Sequence, residues 1–201
     1  MTNEVTLKGR VLTEPKYNHT AHGESFFKFF IGVKRLSGVD DIIPVIVRKA
    51  ILDFSMKKMI VGMRIKVVGE YRSFRDEEYR LKLHVFAIKI NDEETSDLDY
   101  DINSVKFNGV VVSRKCSRVT PMGKKIIDLI ICVESSYSRC SYIPCLIWGR
   151  LDSEAQDVVT GNRIKISGRI QSREYKKNYE DGSSEIKTAY EVSIRNYCIE
   201  S

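Results

Sequence analysis

The chain has little of what builds covalent or metal-held frameworks. Its 201 residues include three histidines, four prolines, one tryptophan and five cysteines. Cys116, Cys132, Cys140, Cys145 and Cys198 are odd in number, lie in the second half and contain no CxxC pair. That indicates neither a disulfide framework nor a zinc ribbon, and the thiols read as ordinary buried or surface groups. His19 and His22 stand three apart with no further ligand nearby, so no metal is expected. No apolar run approaches the length of a membrane span, and Met1–Arg10 is charged and alternating, unlike a signal peptide. The expectation is a cytoplasmic protein with no membrane partner. A phosphate-binding GxxxxGK loop is missing, and no nucleophile–base signature stands out. No catalytic residue and no cofactor are therefore expected.

What is present is a packed core and an uneven charge. Hydrophobic residues make up 42 % of the chain, which argues against disorder. The net charge is +6, distributed as +7 over residues 1–91, −6 over 92–102 and +5 over 103–201. Two basic bodies joined by an acidic strap suit a polyanionic partner, although charge alone does not separate that from mere solubility.

An internal duplication organises the chain. Asn3, Val5 and Gly9 recur as Asn103, Val105 and Gly109, and Ile43-Pro44 as Ile143-Pro144, at an offset of 100. Gly62 to Lys66 matches Gly161 to Lys165, and Gly69 matches Gly168, at an offset of 99. The division that follows is a first domain at 1–91, an acidic linker at 92–102 kept extended by like charge, and a second domain at 103–201.

Each half reads mostly as strands. The pattern predicts strands over Val5–Leu12, Phe26–Val33, Ile42–Arg48, from Met63, and over Lys82–Ile90. Their counterparts are Val105–Val112, Ile126–Val133, Tyr142–Trp148, from Arg163, and Tyr190–Ile199. A polar loop ending at Gly23 or Gly123 separates the first two. Short helices are expected over Ile51–Val61 and Asp152–Thr160, the second capped by Asp152 or Ser153, with Gly62 and Gly161 as left-handed C-terminal residues. Asp181-Gly182 reads as a hairpin turn. The fold class expected is all-β: two tandem five-stranded oligonucleotide-binding (OB) barrels, each with a short helix between strands three and four.

Alternation separates the faces of the third strand. Ile143, Cys145 and Ile147, with Ile43, Val45 and Val47, form the expected core set. Tyr142, Pro144, Leu146 and Trp148 form the outer set, and an exposed Tyr and Trp there make a base-stacking platform. The alternative is that Trp148 covers a barrel end or an interface. On the fourth strand of the second copy, Arg163, Lys165, Arg169 and Arg173 share one face as a basic stripe free of acid, suited to a phosphate backbone. The first copy carries Glu70 in that row. Its outer third-strand residues, Ile42, Pro44 and Ile46, are apolar, so the first domain is expected to pack against a partner and to assist only with phosphates.

These residues carry a family resemblance. Asn103-x-Val105, Gly109, Thr120-x-x-Gly123, Tyr142-Ile143-Pro144, Trp148-Gly149-Arg150-Leu151, Gly161 and the run from Ile164 to Tyr175 resemble the bacterial single-stranded DNA-binding protein family. The first half resembles it more faintly through Asn3-x-Val5, Lys8-Gly9-Arg10 and Gly62 to Gly69. Two copies in one chain are similar to the tandem-barrel members, which act as homodimers with four barrels. The resemblance implies base stacking at Tyr137, Tyr142, Trp148 and Tyr175. In the first copy those places hold Ser37, Ile42, Arg48 and either Asp76 or Phe74. The family's acidic, Phe-terminated tip, which recruits replication and repair enzymes, has no counterpart in Tyr197–Ser201.

Two functions follow from different classes. The first is a non-catalytic protein that coats or presents single-stranded DNA without strong sequence preference, with replication or recombination proteins as further partners. The second is an OB-fold adaptor of the primosomal kind, acting mainly through protein contacts. The aromatic set and basic stripe favour the first, and the missing tip and the altered first copy favour the second.

Overall fold

The structure is a computed structural model that describes residues 2–55, 59–93, 100–120, 122–134, 140–149, 155–179 and 181–200. Alternating apolar residues set its first strand, β1 (Asn3–Val11): Val5, Leu7 and Val11 turn inward and are fully buried. The strands that follow are β2 (Lys16–Ala21), β3 (Glu24–Lys34) and β4 (Asp40–Arg48), then helix α1 (Lys49–Ser55), β5 (Arg64–Arg75) and β6 (Leu81–Asp92). The second copy repeats the order with β7 (Ile102–Arg114), β8 (Arg118–Val119), β9 (Lys125–Glu134), β10 (Cys140–Trp148), a 3₁₀ turn at Ala155–Asp157, β11 (Arg163–Asn178) and β12 (Ser184–Glu200).

Strand pairing closes on itself twice. In the first copy β1 pairs with β3 at one end and β5 along its length, and a parallel contact of Val45 and Ile46 with Val85 and Phe86 joins β4 to β6. In the second, β7 pairs with β9 and β11, and Cys145 and Leu146 lie parallel to Val192 and Ser193. This all-β order is that of the OB fold. Ile43, Val45, Val47, Ile143, Cys145 and Ile147 are all buried, as the alternation required. The repeated glycines mark where strands cross closely: a Cβ on Gly69 would strike the carbonyl of Phe86, and one on Gly168 that of Ser193.

The two rings share a sheet. β1 and β7 run antiparallel from Asn3 opposite Phe107 to Lys8 opposite Ile102. The duplicated asparagines serve matched purposes. Asn3 bonds both backbone groups of Tyr71 (3.0 Å each), and Asn103 does the same to Ile170 (2.7 and 2.9 Å). A second matched contact crosses between the rings. Ser73 Oγ accepts from the Tyr142 N–H (2.8 Å), and Ser172 Oγ accepts from the Ile42 N–H (2.9 Å).

Several expectations need correction. The segment before Gly23 is a strand, because Tyr17 meets Phe27 edge-on and His19 stacks on Phe26 at 4.7 Å. Helix α1 ends at Ser55 within the described residues, so Gly62 (φ 90°) does not cap it. Gly62 instead tightens the turn into β5, donating its N–H to Val11 O at 2.8 Å. In the second copy the expected cap, Asp152 or Ser153, lies outside the described residues. Of the outer β4 residues only Ile42 is exposed: Ile46 packs with Phe26 and Phe86, so the apolar face is covered by its own ring. Of the acidic segment, Asp92 ends β6 and Ile102 begins β7. Asp101 there pairs with Arg64 (2.8 Å) and accepts the Lys34 N–H (2.7 Å).

Candidate nucleic-acid interface

The outer face of β10 carries Tyr142 at one end and Trp148 at the other, about 20 Å apart at strand rise. Tyr142 is 46 % exposed and stands at the junction of the rings, beside Ser73 of β5. Trp148 is half-buried rather than exposed. Its indole N–H donates to Ser193 Oγ at 2.8 Å, because the parallel β10–β12 contact brings that hydroxyl alongside. The hydrogen bond fixes the ring, and part of the ring remains open. Leu146, between them, is buried. Tyr175 lies on the outer stretch of β11, 38 % exposed, with the Arg173 guanidinium 5.9 Å from its centroid. Tyr137 lies outside the described residues.

The basic stripe shares a face as expected, but it is not free of acid. Lys165 pairs with Glu200 at 2.9 Å, Arg173 approaches Glu191 at 3.9 Å, and Arg169 faces Asp41 of the first ring at 3.5 Å. These carboxylates come from β12 and β4, neighbours that reading β11 alone does not reveal. Burial lowers the Arg169 pKa, opposed by the Asp41 charge. Burial likewise pushes the Glu191 carboxyl up, opposed by Arg173 and Arg118. Arg163 is exposed and has no ion-pair partner among the described residues.

One cluster was missed. β11 and β12 continue as a long hairpin, paired out to Asn178 opposite Ser184. Near its tip Tyr179 is flanked by Lys177 and Lys187, 5.0 and 5.5 Å from the ring centroid, and its hydroxyl donates to Glu185 at 2.7 Å. With Tyr175 and Arg173 this makes a projecting strip of interleaved aromatic and basic groups. The run Tyr175-Lys176-Lys177-Asn178-Tyr179 was the available signal. Asp181-Gly182 does form the turn, with Gly182 at φ 81°. Among the described residues, no group of His, Cys, Asp or Glu could hold a metal, and no helix is long and apolar enough to cross a membrane.

Stacking surfaces, an ordered indole and exposed cations on an OB fold can hold unpaired bases and phosphates. Comparison with known proteins bears on the same segment. Residues 102–198 match the model of the single-strand binding protein family. No curated protein sequence matches the chain. Among solved structures, the wild-type single-stranded DNA binding protein from Thermus aquaticus aligns with a TM-score of 0.76 at 19 % identity, covering 100 % of this chain and 93 % of that one. A deletion mutant of the same protein aligns with a TM-score of 0.75 at 18 % identity, covering 100 % and 95 %. At these identities the likeness speaks to the fold, and it extends over both rings. The family match thus covers residues 102–198, and the first ring shares the fold.

Proposed function

We propose that the chain binds single-stranded DNA and holds it open by stacking and phosphate contacts, without strong sequence preference and without catalysis. The observation that carries this reading is the family match over the segment that presents Tyr142, Trp148 and Tyr175 on one OB ring. Bases stack on these rings. Arg163 and Lys177 supply charge to phosphates, joined by Lys165, Arg169, Arg173 and Lys187 to the extent that their carboxylate partners release them. The two rings are read as separate domains, 1–91 and 103–201, joined by the acidic linker 92–102. Two chains pair as a homodimer with four OB rings, working in the cytoplasm beside replication or recombination proteins. The resemblance supports that assembly, and sedimentation of the full chain tests it.

The direct test is titration with oligo-dT at two salt concentrations, read by Trp148 fluorescence and by anisotropy of a labelled strand. Quenching, with affinity falling steeply as salt rises, is the expected result. Salt-insensitive or absent binding would leave an adaptor role as the better account.

A further inference from the structure

The first ring was expected to be the weaker half, because Arg48 stands where the second ring has Trp148. Matched pairings show that its aromatic group has moved rather than vanished. Leu146 lies beside Ser193 in the second ring, and Ile46 lies beside Phe86 in the first. Phe86 therefore stands at the place of Ser193, one strand over from Arg48. The Arg72 guanidinium lies 3.8 Å from the Phe86 centroid and that of Arg48 5.8 Å.

The charges around this spot also differ in sign. Asp128 faces Leu146 in the second ring, and Lys28 faces Ile46 in the first. Glu191 pairs with Gln171, and His84 pairs with Arg72. Two acidic positions of the second ring are thus a lysine and a histidine in the first. Arg118, tied to Asp128 at 2.6 Å, is replaced by His19. The remaining carboxylates here are Glu24 on Arg48 (3.3 Å), Glu70 on Arg72 (2.7 Å) and Asp76 on Lys82 (3.4 Å). Lys28 has no carboxylate partner among the described residues; its ammonium lies 5.1 Å from the Phe30 ring.

Two further observations point to a ligand. Phe74 is 48 % exposed at the outer end of β5, edge-on to His84 at 5.6 Å. His84 Nδ1 is buried with no hydrogen-bond partner. A buried polar atom without a partner costs free energy unless something outside supplies one. An aromatic ring, an unfilled imidazole nitrogen and Lys28 at the same face suit a nucleobase and its phosphate.

We propose that the outer face of β3, β4, β6 and β5 is a second surface for single-stranded nucleic acid, with a base stacked on Phe74, a base edge at His84 and a phosphate at Lys28. This rests on the function proposed above but replaces the expected division of labour with binding by both rings. Strand register sets Phe74 at the place of Arg173 and Asp76 at that of Tyr175, so the first ring binds through residues of its own rather than through the places where the second ring has aromatics.

The test uses the full chain and a labelled oligo-dT long enough to span both rings, read by anisotropy. Phe74→Ala is expected to weaken binding on the order of tenfold with an unchanged unfolding midpoint. Lys28→Asp, which installs the residue of the second ring, is expected to weaken binding and flatten the salt dependence. With iododeoxyuridine in the strand, photo-crosslinks to the native chain are expected within residues 73–89 as well as in the second ring. Native affinity in both variants, with crosslinks confined to residues 102–200, would overturn the first-ring surface while leaving the function intact. Failure of the native chain to bind any strand would remove both.

Discussion

At the scale of single residues, Trp148 shows how position and partner divide a role. Its ring lies on the outer face of β10, and its indole nitrogen is occupied by Ser193 Oγ at 2.8 Å. A side chain held this way has lost much of its rotamer freedom before a base arrives, so stacking on it costs less ordering. Trp148→Ala is expected to weaken oligo-dT binding by about 1–3 kcal/mol, because the stack is lost. The fold should survive, since the side chain is half-buried and faces away from the main core. Anisotropy with a labelled strand measures the first effect, and a thermal scan the second. Native affinity in the mutant would return Trp148 to the alternative role of covering a ring edge.

At the scale of elements, the contact between β4 and β11 was the hardest feature to foresee. The repeat, the strand order and the inward set of the third strand were legible because periodicity and glycine spacing are local. Val5, Leu7 and Ile43 had to face the core wherever the chain ran. Asp41 had no such signal. It is buried between the rings, accepts the Ser172 N–H at 2.9 Å and the Asn103 amide at 3.4 Å, and faces both Arg35 and Arg169. Arg35 is six residues away, but Ser172, Asn103 and Arg169 lie far along the chain, so no window of sequence joins them to Asp41. The stripe on β11 was misjudged for the same reason: its acids come from β4 and β12. Asp41→Ala should cost about 3 kcal/mol of stability, at the low end for a buried pair because Arg35 and Arg169 keep some contact with water. Asp41→Ser, the residue at the matched place in the second copy, keeps an acceptor for Ser172 and should cost less. Urea denaturation of the two variants gives the ordering, and equal losses would mean that the charge rather than the acceptor matters.

At the scale of the molecule, the two rings are halves of one sheet. β1 and β7 pair over six residues, and the staples from Asn3, Asn103, Ser73 and Ser172 repeat on either side of that seam. Cutting the chain between the rings therefore uncovers a strand edge on each half. An unpaired edge of this length is a template for another strand. Fragments 2–93 and 102–200 keep every strand of their own ring, so each has the means to close. The apolar row Ile42, Pro44 and Ile46 is a reason in the sequence for the first half to pack against a partner, but Ile46 is covered by Phe26 and Phe86. The edge of β1 is the better reason, and it applies equally to β7. Both fragments are thus expected to form dimers when purified separately. When mixed, they should exchange into a one-to-one complex, because Asp41 finds Ser172, Asn103 and Arg169 only across the native seam. Sedimentation of each fragment and of the mixture reads the outcome. Monomeric fragments that ignore each other would mean that the continuous chain, and not the pairing of β1 with β7, holds the rings together.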